Sequence, residues 1–132
     1  MSPVKGTDNG HTGGKGRIVM VVDDDDMIRR LVRTVLEADE FEVVEARNGS
    51  TALDLATTAH PAVVVLDIMM PGLDGVEVCR RLDHEQVKVV VLTARDDPSL
   101  EIRCREAGAD AFLTKPFSSI ELLNLVSELI GA

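Results

Sequence analysis

Five short apolar runs recur along the chain, and a stretch with helical periodicity follows each. The runs are Ile18–Val22, Phe41–Glu45, Ala62–Leu66, Val87–Leu92 and Ala111–Leu113. Runs this short and this continuously apolar are strands buried on both faces, as in a parallel sheet covered by helices. Only the second mixes in acids, Glu42 and Glu45, as an edge strand does. The first intervening stretch places Ile28, Leu31, Val32, Val35 and Leu36 on one face of a helix. Asn48-Gly49 punctuates before a helix with Ala52, Leu55, Ala56 and Ala59 inward. A third helix over 75–82 turns Val78, Cys79 and Leu82 to the core. Asp97-Pro98 opens a fourth helix with an N-cap acid and a proline in the first turn, and Gly108 ends it. Ser118-x-x-Glu121 is a capping box for a last helix with Leu122, Leu123, Val126, Leu129 and Ile130 buried. Five βα units imply an α/β fold: a doubly wound, three-layer sandwich around a parallel five-stranded sheet.

Bulk properties narrow the class. A chain of 132 residues is one domain with a real core. A net charge of -9 argues against a nucleic-acid surface, which needs a basic stripe. The apolar runs are too short to cross a membrane, and the N-terminus has no apolar signal core. Cys79 and Cys104 belong to no paired motif, so they read as small core residues in a reducing, cytoplasmic setting. Residues 1–16 are rich in glycine and poor in apolar side chains, and are expected to be a disordered leader to a domain over 17–132. His11, His60 and His84 are scattered and carry no expected role.

The chemistry collects at the strand ends. The first run leads into Asp23-Asp24, the third into Asp67, the fourth into Thr93 and the fifth into Thr114-Lys115. In an open parallel sheet, ligands bind outside the carboxyl ends of the strands. Three clustered carboxylates repel one another and raise at least one pKa unless a cation relieves them. Mg²⁺ suits that task, because it takes one or two carboxylates and completes its shell with water and phosphate oxygens. Lys115 offers a point charge and Thr93 a hydroxyl to phosphoryl oxygens. The set suits phosphoryl transfer, with Asp67 as the nucleophile that forms an aspartyl-phosphate. Asp25 and Asp26 read instead as caps of the first helix, and Pro71 and Gly72 as a turn after Asp67.

These residues stand in motifs that resemble the receiver domain of bacterial two-component response regulators. They are Val-Val-Asp23-Asp24, Leu-Asp67-Ile-Met-Met-Pro71-Gly-Leu-Asp-Gly75, Leu-Thr93-Ala94 and Leu-Thr-Lys115-Pro116-Phe117. The resemblance implies a flavodoxin-like fold with sheet order 2-1-3-4-5. It implies that Asp67 takes a phosphoryl group from a histidine kinase or phosphotransfer protein. Asp24 would be a direct Mg²⁺ ligand, Asp23 a mostly water-mediated one, and the Met69 backbone carbonyl a third. Thr93 and Lys115 would hold phosphoryl oxygens, and Lys115-Pro116 would be cis. Phe112 matches an aromatic switch position that follows Thr93, relaying the signal to the face of the fourth helix, fifth strand and fifth helix. On that reading Lys115→Ala leaves metal binding intact.

The chain departs from the family's dimer-forming pattern at Ala111, Asn124 and Ser127, and no Lys or Arg follows Lys115. A stand-alone receiver or a piece of a longer regulator, monomeric or weakly dimeric, is therefore expected. Ile102 lies nearly opposite Leu100, Cys104 and Ala107 on the fourth helix and is expected to meet a partner. Two alternatives compete. A Mg²⁺-dependent aspartyl-phosphate phosphohydrolase carries a second acid two residues after its nucleophile, where this chain has Met69. A phosphorylation-independent binding module would have a degraded site, and this one is intact.

Overall fold

Valine is the commonest residue of the sheet because a β-branched side chain packs well on a pleated surface buried from both sides. In the computed structural model, which describes residues 16–70, 74–94 and 97–131, the strands are β1 (Ile18–Val22), β2 (Glu42–Ala46), β3 (Val63–Asp67), β4 (Lys88–Thr93) and β5 (Ala111–Thr114). All are parallel, in the order β2-β1-β3-β4-β5. The helices are α1 (Asp26–Ala38), α2 (Gly49–Ala59), α3 (Gly75–Arg81), α4 (Pro98–Glu106) and α5 (Ser119–Gly131). Of the leader expected over residues 1–16, all but Gly16 lie outside the described residues, as do Pro71 and Gly72.

Strand alternation divides the core in two. Val19, Val21, Val63, Val65, Val90 and Leu92 face Val32 and Leu36 of α1 and Leu122 and Val126 of α5. Met20, Val22, Val64, Leu66, Val89 and Val91 face Ala52, Val78, Cys79 and Cys104 from α2, α3 and α4. Each such side chain contributes about 2 kcal/mol of transfer free energy when fully buried. The three-layer sandwich expected from the runs is the observed fold.

The caps also match. The Asp25 carboxylate accepts from the Met27 and Ile28 N–H groups, and Asp97 from Ser99 and Leu100. Ser118 and Glu121 exchange reciprocal bonds of 3.1 and 2.9 Å, the expected capping box. Two details differ. Strands β2, β3 and β4 start and end one residue later than the apolar runs and β5 ends one later, the ladder running on through Ala46 opposite Val22, Asp67 opposite Leu92 and Thr93 opposite Thr114. Leu31 is not in the core but 47% exposed. The buried face of α1 runs instead through Arg29, Val32 and Leu36.

Both cysteines are buried and unpaired, as expected, and burial pushes the Cys79 thiol up to about 12. His84 has a structural place. Its Nε2 lies 2.6 Å from the Cys79 carbonyl, and its ring fills the space that a side chain on Gly108 (φ +110°) would need. Among the described residues, no helix is long and apolar enough to cross a membrane.

Candidate functional site

The β1, β3, β4 and β5 ladders bring four separate strand ends to one edge. Asp23 follows β1, Asp67 and Thr93 are the last residues of β3 and β4, and Lys115 follows β5. The Lys115 N–H donates to the Thr93 carbonyl at 2.7 Å, which extends the β4–β5 pairing into the loop. Carboxylate oxygens of Asp23, Asp24 and Asp67 all lie within 4.8 Å of one another. The Lys115 Nζ is 3.2 Å from Asp23 Oδ2 and 3.5 Å from Asp67 Oδ2. Groups far apart in the chain, the last of them 92 positions after Asp23, thus meet it in space, as the strand-end reading expects.

Asp23 is fully buried, Asp67 and Thr93 are nearly so, and Asp24 is exposed. Oxygen donors therefore span a gradient from core to solvent. Burial is the main force raising the Asp23 pKa above its ordinary value. The Asp25 N–H, 2.9 Å from its Oδ1, pulls it back; the Asp67 charge raises it further and Lys115 lowers it. For Lys115, burial works downward, but Asp67 and Asp23 outweigh it and hold the amine above its usual range. Three carboxylates against one ammonium leave two negative charges, which a divalent cation would balance. An all-oxygen donor set with one solvent-facing member fits a hard ion such as Mg²⁺.

Of the other expected residues, Met69 has an exposed side chain, and its backbone N–H donates to Asp67 Oδ1 at 3.0 Å. Phe112 is half-buried against the α2–α4 side of the sheet, with the Arg105 guanidinium 4.6 Å from its ring centre. The Lys115-Pro116 bond is cis. Ile102 is 58% exposed while Cys104 and Ala107 are buried. A cavity of about 410 Å³ between α2 and α3, lined by Leu53, His60, Pro61, Arg81, Leu82 and Val87, opens at the other end of the strands and holds none of the site residues.

Sequence reasoning missed Arg29 and Glu45. Arg29 is 8% exposed, donates from Nε to Glu45 Oε1 at 2.9 Å and from Nη1 to the Asp23 carbonyl at 2.8 Å, and pairs with Asp26. Its counter-charge Glu45 sits on β2, the one strand that leads into no candidate site residue in the sequence. The signal was present: Arg29 stands three residues before Val32 and seven before Leu36, so it shares their buried face.

The response regulator receiver domain family matches residues 19–127 of this chain. The transcriptional regulatory protein SrrA of Staphylococcus aureus is 39% identical over 113 residues, covering 85% of this chain and 47% of SrrA. The chain thus spans about half the length of the curated relatives it matches. Among solved structures, the chemotaxis protein CheY4 of Vibrio cholerae superposes with a TM-score of 0.81 at 28% identity, over 86% of this chain and 98% of that one. The receiver domain of Francisella response regulator 1452 gives 0.80 at 35% identity, over 88% and 98%.

Proposed function

Because this chain belongs to the response regulator receiver domain family, we propose that it is a phosphorylation-dependent signalling switch with Asp67 as the phosphoacceptor. The observation that carries this reading is the meeting of Asp23, Asp24 and Asp67 with the Lys115 ammonium at one strand edge. An Asp67 carboxylate oxygen attacks the phosphorus of a phosphorylated histidine on a kinase or phosphotransfer protein. The P–O bond to Asp67 forms as the P–N bond to the donor breaks, and the imidazole leaves with the electron pair. Asp23, Asp24, Asp67 and the Met69 backbone carbonyl would hold Mg²⁺, which would supply charge neutralisation for the phosphoryl oxygens. Lys115 and the Thr93 hydroxyl take the remaining oxygens. Thr93 and Phe112 then carry the change to the face of α4, β5 and α5. The catalysis serves only the domain's own phosphorylation and dephosphorylation, in the cytoplasm, with the domain spanning 17–132. What the signal reaches belongs to a downstream protein or an output domain.

Incubation with Mg²⁺ and a small acyl phosphate should add one phosphoryl group by intact mass, and chelation of the Mg²⁺ should prevent it. Mg²⁺ alone should raise the melting temperature, because it binds only the assembled carboxylates: about 2.7 kcal/mol at a hundredfold excess over Kd. No added mass, or a melting temperature indifferent to Mg²⁺, defeats the reading.

The contacts of Lys115 change one expectation. Its amine touches two of the proposed metal ligands, so Lys115→Ala should not leave metal binding intact. Removing a positive charge beside the cation site should tighten Mg²⁺ by about tenfold, while phosphoryl uptake falls. Titration calorimetry on the variant gives the sign; weaker Mg²⁺ binding would show that the amine organises the carboxylates rather than competing with the ion.

A further inference from the structure

The backbone of Asp23 is held as firmly as its carboxylate. Its N–H donates to the Ala46 carbonyl of β2 at 3.1 Å, and its carbonyl accepts from Arg29 Nη1 at 2.8 Å. Its Oδ1 accepts from the Asp25 N–H at 2.9 Å, and its Oδ2 faces Lys115. Three of these four partners are ordinary products of loop and ladder geometry or of the site itself. Arg29 is not. It brings a charge into the interior beneath α1, and burying a charge is costly unless every donor is used. Here the guanidinium is used on all three nitrogens, by Glu45, Asp23 and Asp26. Glu45 is shared with Arg33, which holds its carboxyl below the usual range and keeps it ionised as a counter-charge.

We propose that Arg29 is a positioning residue for the cation site, clamping the Asp23 carbonyl so that Asp23 and Asp24 present their carboxylates together, with Glu45 of the edge strand orienting the clamp. The inference rests on the Mg²⁺ reading of the acidic cluster. It accounts for a buried charge on the inner face of α1, where an apolar residue would serve packing alone. It also gives β2 a part in the site, through Glu45 and the Ala46 carbonyl.

The sign of one measurement separates this role from the two plainer ones. If Arg29 acted only as a nearby positive charge, Arg29→Met would tighten Mg²⁺, because a repulsion is removed. If it were only a tie between α1 and β2, the variant would melt earlier and bind Mg²⁺ as the parent does. A positioning role requires weaker binding, by about tenfold or more, the usual cost of losing a residue that orients metal ligands. Titration calorimetry with Mg²⁺ alone, on the full chain, reads this directly. Arg29→Lys should recover part of the affinity, since one ammonium can reach the carbonyl or Glu45 but lacks the fork that holds both. Val126→Ala, a core truncation in α5 far from the loop, should lower the melting temperature and keep the parental Kd. Parental or tighter binding in Arg29→Met overturns the inference. If that variant does not fold, Glu45→Gln decides: severalfold weaker binding supports the clamp, and an unchanged Kd overturns it. A parent that binds no Mg²⁺ defeats the cation reading and the clamp together, whereas a binding parent with unaffected variants defeats the clamp alone.

Discussion

Asp67→Asn should take up no phosphoryl group from an acyl phosphate under conditions that label the parent fully. An amide oxygen in place of the carboxylate keeps the shape and loses the nucleophile, so the reaction stops rather than slows. Mass spectrometry of the intact protein provides the test, and residual labelling at parental stoichiometry would place the acceptor elsewhere. The same substitution has a second readout that does not depend on phosphate. Asp67 repels the neighbouring carboxylates and attracts Lys115, and its charge is one cause of the raised Asp23 pKa. A carboxyl whose folded pKa is raised costs stability once the pH exceeds its ordinary value, and the cost persists at neutral pH. Removing the Asp67 charge relieves part of it. The metal-free variant should therefore melt above the parent at neutral pH, and its gain from added Mg²⁺ should shrink. The two readouts move in opposite directions, one toward lost chemistry and one toward a more stable fold. General damage to the fold would lower both.

The fold was legible because burial on both faces leaves a strand nothing but apolar residues, and Val63 to Leu66 or Val89 to Leu92 admit no other reading. The helix caps were legible for a local reason: an Asp97 or Ser118 needs only the next turn to satisfy its bonds. The site residues announced themselves as polar side chains interrupting those strands at one common end. What was not legible depended on contacts between elements. Leu31 fits an apolar stripe as well as Ile28 does, and only the choice of Arg29 for the inward face turns it toward solvent. Arg29 itself reads as a surface charge until Glu45, sixteen residues on, is brought beside it by β1–β2 pairing. Helical periodicity ranks positions on a face, and a charge within the stripe is discounted unless its partner is known. The pairing of Lys115 with Asp23 was hidden similarly. Chemistry suggested what each group does to phosphate but not that the amine and the carboxylates would first neutralise one another.

Gly75→Ala should be the most damaging single-methyl change at the site. Alanine ordinarily improves a helix by about 1 kcal/mol over glycine. At the first residue of α3 that gain is opposed by space. A Cβ on Gly75 would lie 2.8 Å from both the Cα and the carbonyl oxygen of Ile68, and 2.9 Å from its Cδ1. The Cδ1 can rotate away, but the backbone cannot without moving the segment that leaves β3. Overpacking against atoms of this kind costs typically about 1–3 kcal/mol. The upper end applies here, since Ile68 is itself pinned by its N–H to the Leu92 carbonyl at 3.2 Å. A loss near ~3 kcal/mol lowers the melting temperature by roughly 10 °C in a chain of this size. Ile68 directly follows Asp67, and the Met69 N–H holds the Asp67 carboxylate, so the displacement reaches the proposed acceptor. Mg²⁺ affinity should fall along with stability. Gly131→Ala supplies the contrast: a Cβ there meets nothing within 4 Å, and the substitution should leave stability level or slightly higher. If Gly75→Ala also melts at or above the parent, then α3 slides away from Ile68 at little cost. The glycine in the Asp74-Gly75 pair would then not be required by close approach to the strand that carries Asp67.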